Sequence, residues 1–172
     1  YDMDEIEKAI NINFYSCVYS IKALLPMLMK SSDPGIINID SSAALMSLAG
    51  TSMYSASKAA LKGFTESLRE EFRGKVYVGL VCPGFTKTDI FRDQKNDGDK
   101  GQKVINMIST DCDLMVKLIM FGIEHKHALQ IHGVDAHAMN IFGKLLPVNG
   151  SRLFSAVMKA ADIDLFSEVF KD

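Results

Sequence analysis

Gly35-Ile36-Ile37-Asn38-Ile39-Asp40-Ser41-Ser42 is a glycine-led apolar run that stops abruptly in small polar residues. A parallel strand buried on both faces reads this way, with its small polar residues delivered at the carboxyl end. That end is where open α/β sheets hold their ligands. Downstream, Lys75-Val76-Tyr77-Val78-Gly79-Leu80-Val81-Cys82 is apolar on both alternating faces and breaks at Pro83-Gly84, which predicts a second interior strand followed by a ligand-facing loop. A helix carrying Tyr54-Ser55-Ala56-Ser57-Lys58 lies between the two. Strand, helix and strand make a βαβ unit, whose strands must run parallel.

Tyr54 and Lys58 are one helical turn apart, so phenol and ammonium share a face. A phenol is a poor acid at neutral pH, and a fixed positive charge beside it stabilises the phenolate and brings its pKa toward the working range. The spacing alone is common on solvated helix faces, where it means nothing chemical. Its surroundings decide.

Four segments agree in order. Asn38-Ile39-Asp40-Ser41-Ser42-Ala43-Ala44 resembles an Asn-Ile/Val-Ser-Ser-x-Ala-Gly/Ser pattern, and Tyr54 to Lys58 matches Tyr-x-Ala/Ser-Ala/Ser-Lys. Pro83-Gly84-Phe85-Thr86-Lys87-Thr88 resembles Pro-Gly-x-Val/Ile-x-Thr, with Thr86 at the Val/Ile place, and Asn11-Ile12-Asn13-Phe14 supplies the asparagine of a preceding helix. On these residues the chain resembles the carboxyl-terminal part of a short-chain dehydrogenase/reductase. The resemblance implies an α/β, Rossmann-like doubly wound parallel sheet, NAD or NADP as cofactor, and reversible hydride transfer to or from a small-molecule carbonyl or secondary alcohol. It also implies roles: Ser41 holds the substrate oxygen, Tyr54 is the acid, Lys58 acidifies Tyr54 and holds the nicotinamide ribose, and Asn13 supports a water chain. Pro83, Gly84 and Phe85 present backbone to the carboxamide, while Thr86 and Thr88 grip the amide or phosphates. Asp40 stands where the family has the first serine of its pair. Counting back from Tyr54 by the family's usual separation lands on Ser41, and Ser42 remains the alternative.

From Asp4 to about Lys30 the positions Ile6, Ile10, Phe14, Cys17, Ile21, Leu24 and Leu28 recur at helical steps, with Asn13 in the stripe and Pro26 disturbing the last turn. The buried amide must find partners, either at a distorted backbone site or on a water. The chain opens at Tyr1 and enters a helix directly, which reads as a missing amino-terminal part; a full relative would place roughly 80 to 100 residues and a glycine-rich pyrophosphate turn before it. No Gly-x-Gly-x-x-Gly is present, so NAD and NADP are not distinguished. The expectation is one partial nicotinamide-binding domain over residues 1–172, its tail from about residue 133 closing the substrate pocket.

With 172 residues, 48% apolar composition and net charge −2, the chain lacks the concentrated basic face that nucleic acid demands. No apolar run approaches the roughly 18 residues of a membrane span, and the acidic opening is unlike a signal peptide. A cytoplasmic setting is expected. Cys17, Cys82 and Cys112 are odd in number and scattered, as reduced thiols are.

Glu124, His125, His127 and His132 are ligand types but lack matching spacing, so no metal is expected. Residues 93–99 echo a calcium loop, yet Lys95 and Val104 stand where oxygen ligands belong. The charged, glycine-punctuated stretch 91–102 is expected to form a mobile lid over the substrate. Gly50-Thr51-Ser52-Met53-Tyr54 begins like a nucleophile elbow, but Tyr54 occupies the second glycine's place and excludes the sharp turn. The tail reads as an apolar stretch from Gly133 broken at Pro147, then an amphipathic helix from Arg152 to Phe170 whose mixed charges argue against membrane contact. A homodimer or homotetramer through helices 4–30 and 53–73 is expected. Two rival readings are an epimerase or dehydratase on the same fold and a noncatalytic subunit-pairing module.

Overall fold

The computed structural model describes residues 2–88 and 99–160. Helix α1 (Met3–Ile10) starts at Asp2, whose carboxylate accepts the Asp4 N–H while Glu5 reaches back to the Asp2 N–H. This reciprocal cap satisfies two amide groups that the first turn leaves without partners. The expected single helix is then interrupted. Residues Asn11–Tyr15 are π-helical before α2 (Ser16–Leu28) resumes the α form. The Ser16 N–H reaches back five residues to Asn11 O, while the Ser16 hydroxyl, at 2.5 Å, and the Cys17 thiol, at 3.8 Å, donate to Ile12 O and Asn13 O. Helix α2 runs through Pro26 and ends at Leu28.

Strands β1 (Gly35–Ile39), β2 (Tyr77–Pro83) and β3 (Leu129–His132) form a parallel sheet in that order. Asn38 lies opposite Leu80, and Cys82 opposite Ile131. Helix α3 (Ser52–Glu71) makes the first crossover, so the expected βαβ unit is present. Helices α4 (Asp99–Ile108) and α5 (Cys112–Glu124) stand between β2 and β3. Residues 91–98 of the expected lid lie outside the described residues, and Asp99 already opens α4. The tail forms α6 (Val134–Leu145) and α7 (Gly150–Ala160), separated around Pro147; the rest of the expected last helix lies outside the described residues.

The core has two parts. Ile36 and Val78 face α3 and α2, packing on Leu68, Phe64, Ile21 and Leu28. Each such side chain contributes about 1.5–3 kcal/mol when fully buried. On the same side, Asn38 Nδ2 donates to Thr65 Oγ1 at 2.8 Å, and that hydroxyl donates to Leu61 O at 2.7 Å, which ties β1 to α3 through satisfied buried groups. Met46, Met139 and Phe154 form the second cluster, which seats α6 and α7 beside the turn after β1.

Candidate functional site

Sheet and crossover together decide where the polar residues go. Beyond β1 the ladder continues for one residue, with Asp40 N–H donating to Val81 O at 2.7 Å, and the chain then turns through a short 3-10 segment, Ser42–Ala44. Ser41 caps that segment, its Oγ accepting the Ala43 N–H at 3.1 Å. An acceptor engaged in this way keeps its own proton free to donate. Tyr54 lies in the first turn of α3, where the nearby Ser41 hydroxyl lowers the phenol's pKa.

Burial outweighs the serine. Tyr54 is 41% exposed as a residue, yet its hydroxyl is desolvated enough to push its pKa above the ordinary phenol value, with the Asp40 charge adding to the rise. The direction is opposite to that expected from a neighbouring lysine alone. Lys58 Nζ lies 5.9 Å from the Tyr54 ring centre and donates to Ile39 O at 3.3 Å, so its charge sits nearer the strand end than the phenol.

Asn13 lies in the π-helical turn, and its amide donates to Ser57 Oγ at 3.1 Å; Ser57 in turn donates to Tyr54 O at 2.7 Å. The asparagine thus braces the backbone of the tyrosine's own turn.

Asn13, Ser41, Ser42 and Tyr54 line a cavity of about 850 Å³ together with Pro83, Gly84, Phe85, Thr86 and Thr88. Apolar Ile12, Leu48, Met53 and Met139 also line it, and Lys58 does not.

In the loop after β2 the Phe85 N–H donates to Asp135 Oδ2 at 2.8 Å and its carbonyl accepts the Thr110 N–H at 2.9 Å, so both its backbone groups have partners within the protein. Lys87 N–H donates to Thr110 O at 2.9 Å, clipping the loop to the end of α4. None of these bonds uses the Thr86 N–H or carbonyl.

Asp135 was invisible as a site residue in the sequence. It lies in the first turn of α6, 5% exposed, with burial raising its pKa and the N–H groups of Phe85 and Ala136 lowering it. A Cβ on Gly84 would stand 2.1 Å from Asp135 Oδ1, so loop and helix approach as closely as a glycine permits. The glycine before a helix with an acid in its first turn was readable; the partner 50 residues upstream was not.

Cys82 is fully buried and its thiol is pushed up to about 12, chiefly by burial, so it is an inert core residue. His125 caps α5 and stacks on Phe121 at 4.0 Å, and His132 pairs with Gln130. Among the described residues no cluster of three or more His, Cys, Asp or Glu could hold a metal, and no helix is long and apolar enough to cross a membrane.

Residues 1–99 match the short chain dehydrogenase family. SadH of Mycobacterium tuberculosis, assigned as an oxidoreductase, is 31% identical over 164 residues, covering 90% of this chain and 59% of SadH. The chain therefore spans about three fifths of that relative. A short chain dehydrogenase from Burkholderia cenocepacia, solved in complex with NADP, superposes with a TM-score of 0.71 at 22% identity over 92% of this chain and 62% of that one. Another from Sphingobium yanoikuyae, in complex with NADPH, gives 0.64 at 21% identity over 91% of this chain and 58% of that one. Both likenesses are of fold.

Proposed function

Because this chain belongs to the short chain dehydrogenase family, we propose that it serves reversible hydride transfer between a nicotinamide dinucleotide and an apolar carbonyl or secondary alcohol. The observation that carries this is the wall of one cavity that holds both the Ser41 hydroxyl and the Tyr54 phenol, with Lys58 one turn further along the same helix and 5.9 Å from the phenol ring centre.

The donor set fits a nicotinamide and its ribose. Lys58 commits one N–H to Ile39 O and enters no ion pair among the described residues, so its remaining N–H groups can hold a ribose diol. Thr86, whose backbone the loop's own bonds leave unused, takes over from Phe85 as the group that would meet the carboxamide, with Thr88 beside it at the cavity wall. When bound, the nicotinamide supplies or accepts the hydride.

This chain's residues handle the proton. In reduction, Ser41 and Tyr54 both donate to the substrate oxygen, which becomes alkoxide-like as the bond order falls, so donors fixed in place act most strongly in the transition state. Tyr54 then passes its proton to that oxygen. Lys58, which would hold the ribose, carries the positive charge that favours the phenolate and opposes the desolvation that raises the Tyr54 pKa. Asn13 holds the tyrosine's turn in register through Ser57. The exposed apolar side chains Ile12, Tyr15 and Tyr19 on the first helices support pairing of subunits through that face.

The test is Tyr54→Phe in the full chain, assayed against a panel of ketones and alcohols with NADH and NADPH. Turnover should fall by about 10²- to 10⁴-fold while nicotinamide binding, followed by fluorescence, persists. Unchanged turnover refutes the acid assignment.

A further inference from the structure

Ile36 and Asn38 turn toward α3, and the period of two along a strand carries Asp40 to the same side. It is 4% exposed, lines the cavity, and neither of its side-chain oxygens has a hydrogen-bond partner. The charged and titratable groups that face it are Lys58, Lys62 and Tyr54 from α3 and the Cys82 thiol from β2, with the Ser41 amide on its own turn. The motif quoted for the family has a serine here, so the carboxyl is a feature of this chain. A buried carboxylate without donors is costly, and the ordinary solution is to keep the proton. Two lysines pull the other way.

We infer that Asp40 is a positioning residue for the Tyr54–Lys58 pair, trading its proton with solvent through the cavity and thereby deciding whether the Lys58 charge is countered by a carboxylate or left to favour the phenolate. The inference rests on Tyr54 being the acid and base of the site. With Asp40 neutral, no anion competes for Lys58, and the phenolate needed to accept a proton from an alcohol is favoured. With Asp40 ionised, its own charge opposes the phenolate and holds the ammonium toward the strand end. Alcohol oxidation, which needs phenolate, is therefore restrained above neutrality, whereas carbonyl reduction, which needs phenol, is not. The balance between burial and the two lysines puts the changeover at about 7.

The experiment is carbon-13 NMR of the full chain labelled at the aspartate carboxyls and tyrosine Cζ, compared with Asp40→Asn and, should that variant fold poorly, Asp40→Ser. One aspartate carbon titrating near 7 and missing in the variant is expected, together with a Tyr54 midpoint that moves to lower pH in the variant. The rise of alcohol oxidation with pH should shift to lower pH in the same variant with KM unchanged. An Asp40 midpoint near its ordinary 3.8, or a Tyr54 midpoint that does not move, overturns the inference while leaving the dehydrogenase reading intact. Turnover that survives Tyr54→Phe removes the underlying reading instead, whatever the carboxyl titration gives.

Discussion

Asp40 closes β1 and Asp135 opens α6, and the two aspartates are almost equally buried, at 4% and 5% exposure. Their surroundings are opposite. Asp135 spends one oxygen on the Phe85 N–H, and further backbone N–H groups at the start of its own helix favour its charge. Asp40 has no hydrogen-bond partner for either oxygen and faces lysines across a gap. Burial raises both pKa values. What differs is how far donors are built in to hold the anion: Asp135 Oδ2 has the Phe85 N–H while its Oδ1 has no hydrogen-bond partner, and both Asp40 oxygens are without one, which separates a strut between loop and helix from a group poised to exchange its proton.

The largest expected effect breaks the comparison from the Asp40 side. Its folded pKa of about 7 lies above the ordinary 3.8, so the folded chain keeps a proton that the unfolded chain releases. The stability this contributes is fully present below pH 3.8 and is lost as pH rises through about 7. The loss is roughly 4 kcal/mol, from about 1.4 kcal/mol per pKa unit. Urea unfolding of Asp40→Asn should show little of this decline, leaving the variant better placed relative to the parent at pH 8 than at pH 4. Parallel stability curves for the two proteins across that range would show that Asp40 is not desolvated.

Next comes the strut. Asp135→Ala leaves the Phe85 N–H without its acceptor and should cost about 1.5–3 kcal/mol. Gly84→Ala alone should also destabilise, because the new methyl meets the carboxylate. In the Asp135→Ala background that methyl has room, so the two costs should fall short of additive by about 1–2 kcal/mol in a double-mutant cycle. Additive costs would mean that loop and helix do not press on each other through this contact.

The two aspartates also differ in how far they could be read in advance. The parallel βαβ unit was legible because apolar runs, a glycine lead and a Pro-Gly break are local signals, and β1, α3 and β2 follow them. Asp40 stood out within a motif whose neighbours set its position. Asp135 acquires meaning only from a contact with Phe85 that no local pattern encodes. The π-helical turn around Asn13 was hidden for a related reason: a single turn of i→i+5 bonding leaves the apolar stripe of a long helix almost unchanged, and its signature lies in the Ser16 and Cys17 side chains that satisfy the displaced carbonyls. Direction of pKa was the other gap. Spacing brought Tyr54 and Lys58 to one face, but desolvation of the phenol and the neighbouring Asp40 depend on the folded surroundings.

The smallest expected effect sharpens the comparison by supplying a baseline. At the end of α5, Lys126 has φ +53°, and the N–H groups of Lys126 and His127 close back on Ile123 O and Gly122 O. That is the left-handed helix stop which glycine adopts without strain. Lys126 also pairs with Asp33, so the substitution is best made in an Asp33→Ala background. There Lys126→Gly should gain about 0.5–1 kcal/mol in urea unfolding, since the strain it removes exceeds the extra freedom given to the unfolded chain. The gain should be nearly the same at pH 5 and pH 8, because it comes mainly from backbone geometry, the one electrostatic change being the loss of a half-exposed cation between His125 and His127. If it varied as steeply as the Asp40 difference, the pH slopes would reflect the net charge of the whole chain, and the contrast between the two buried carboxyls would lose its meaning.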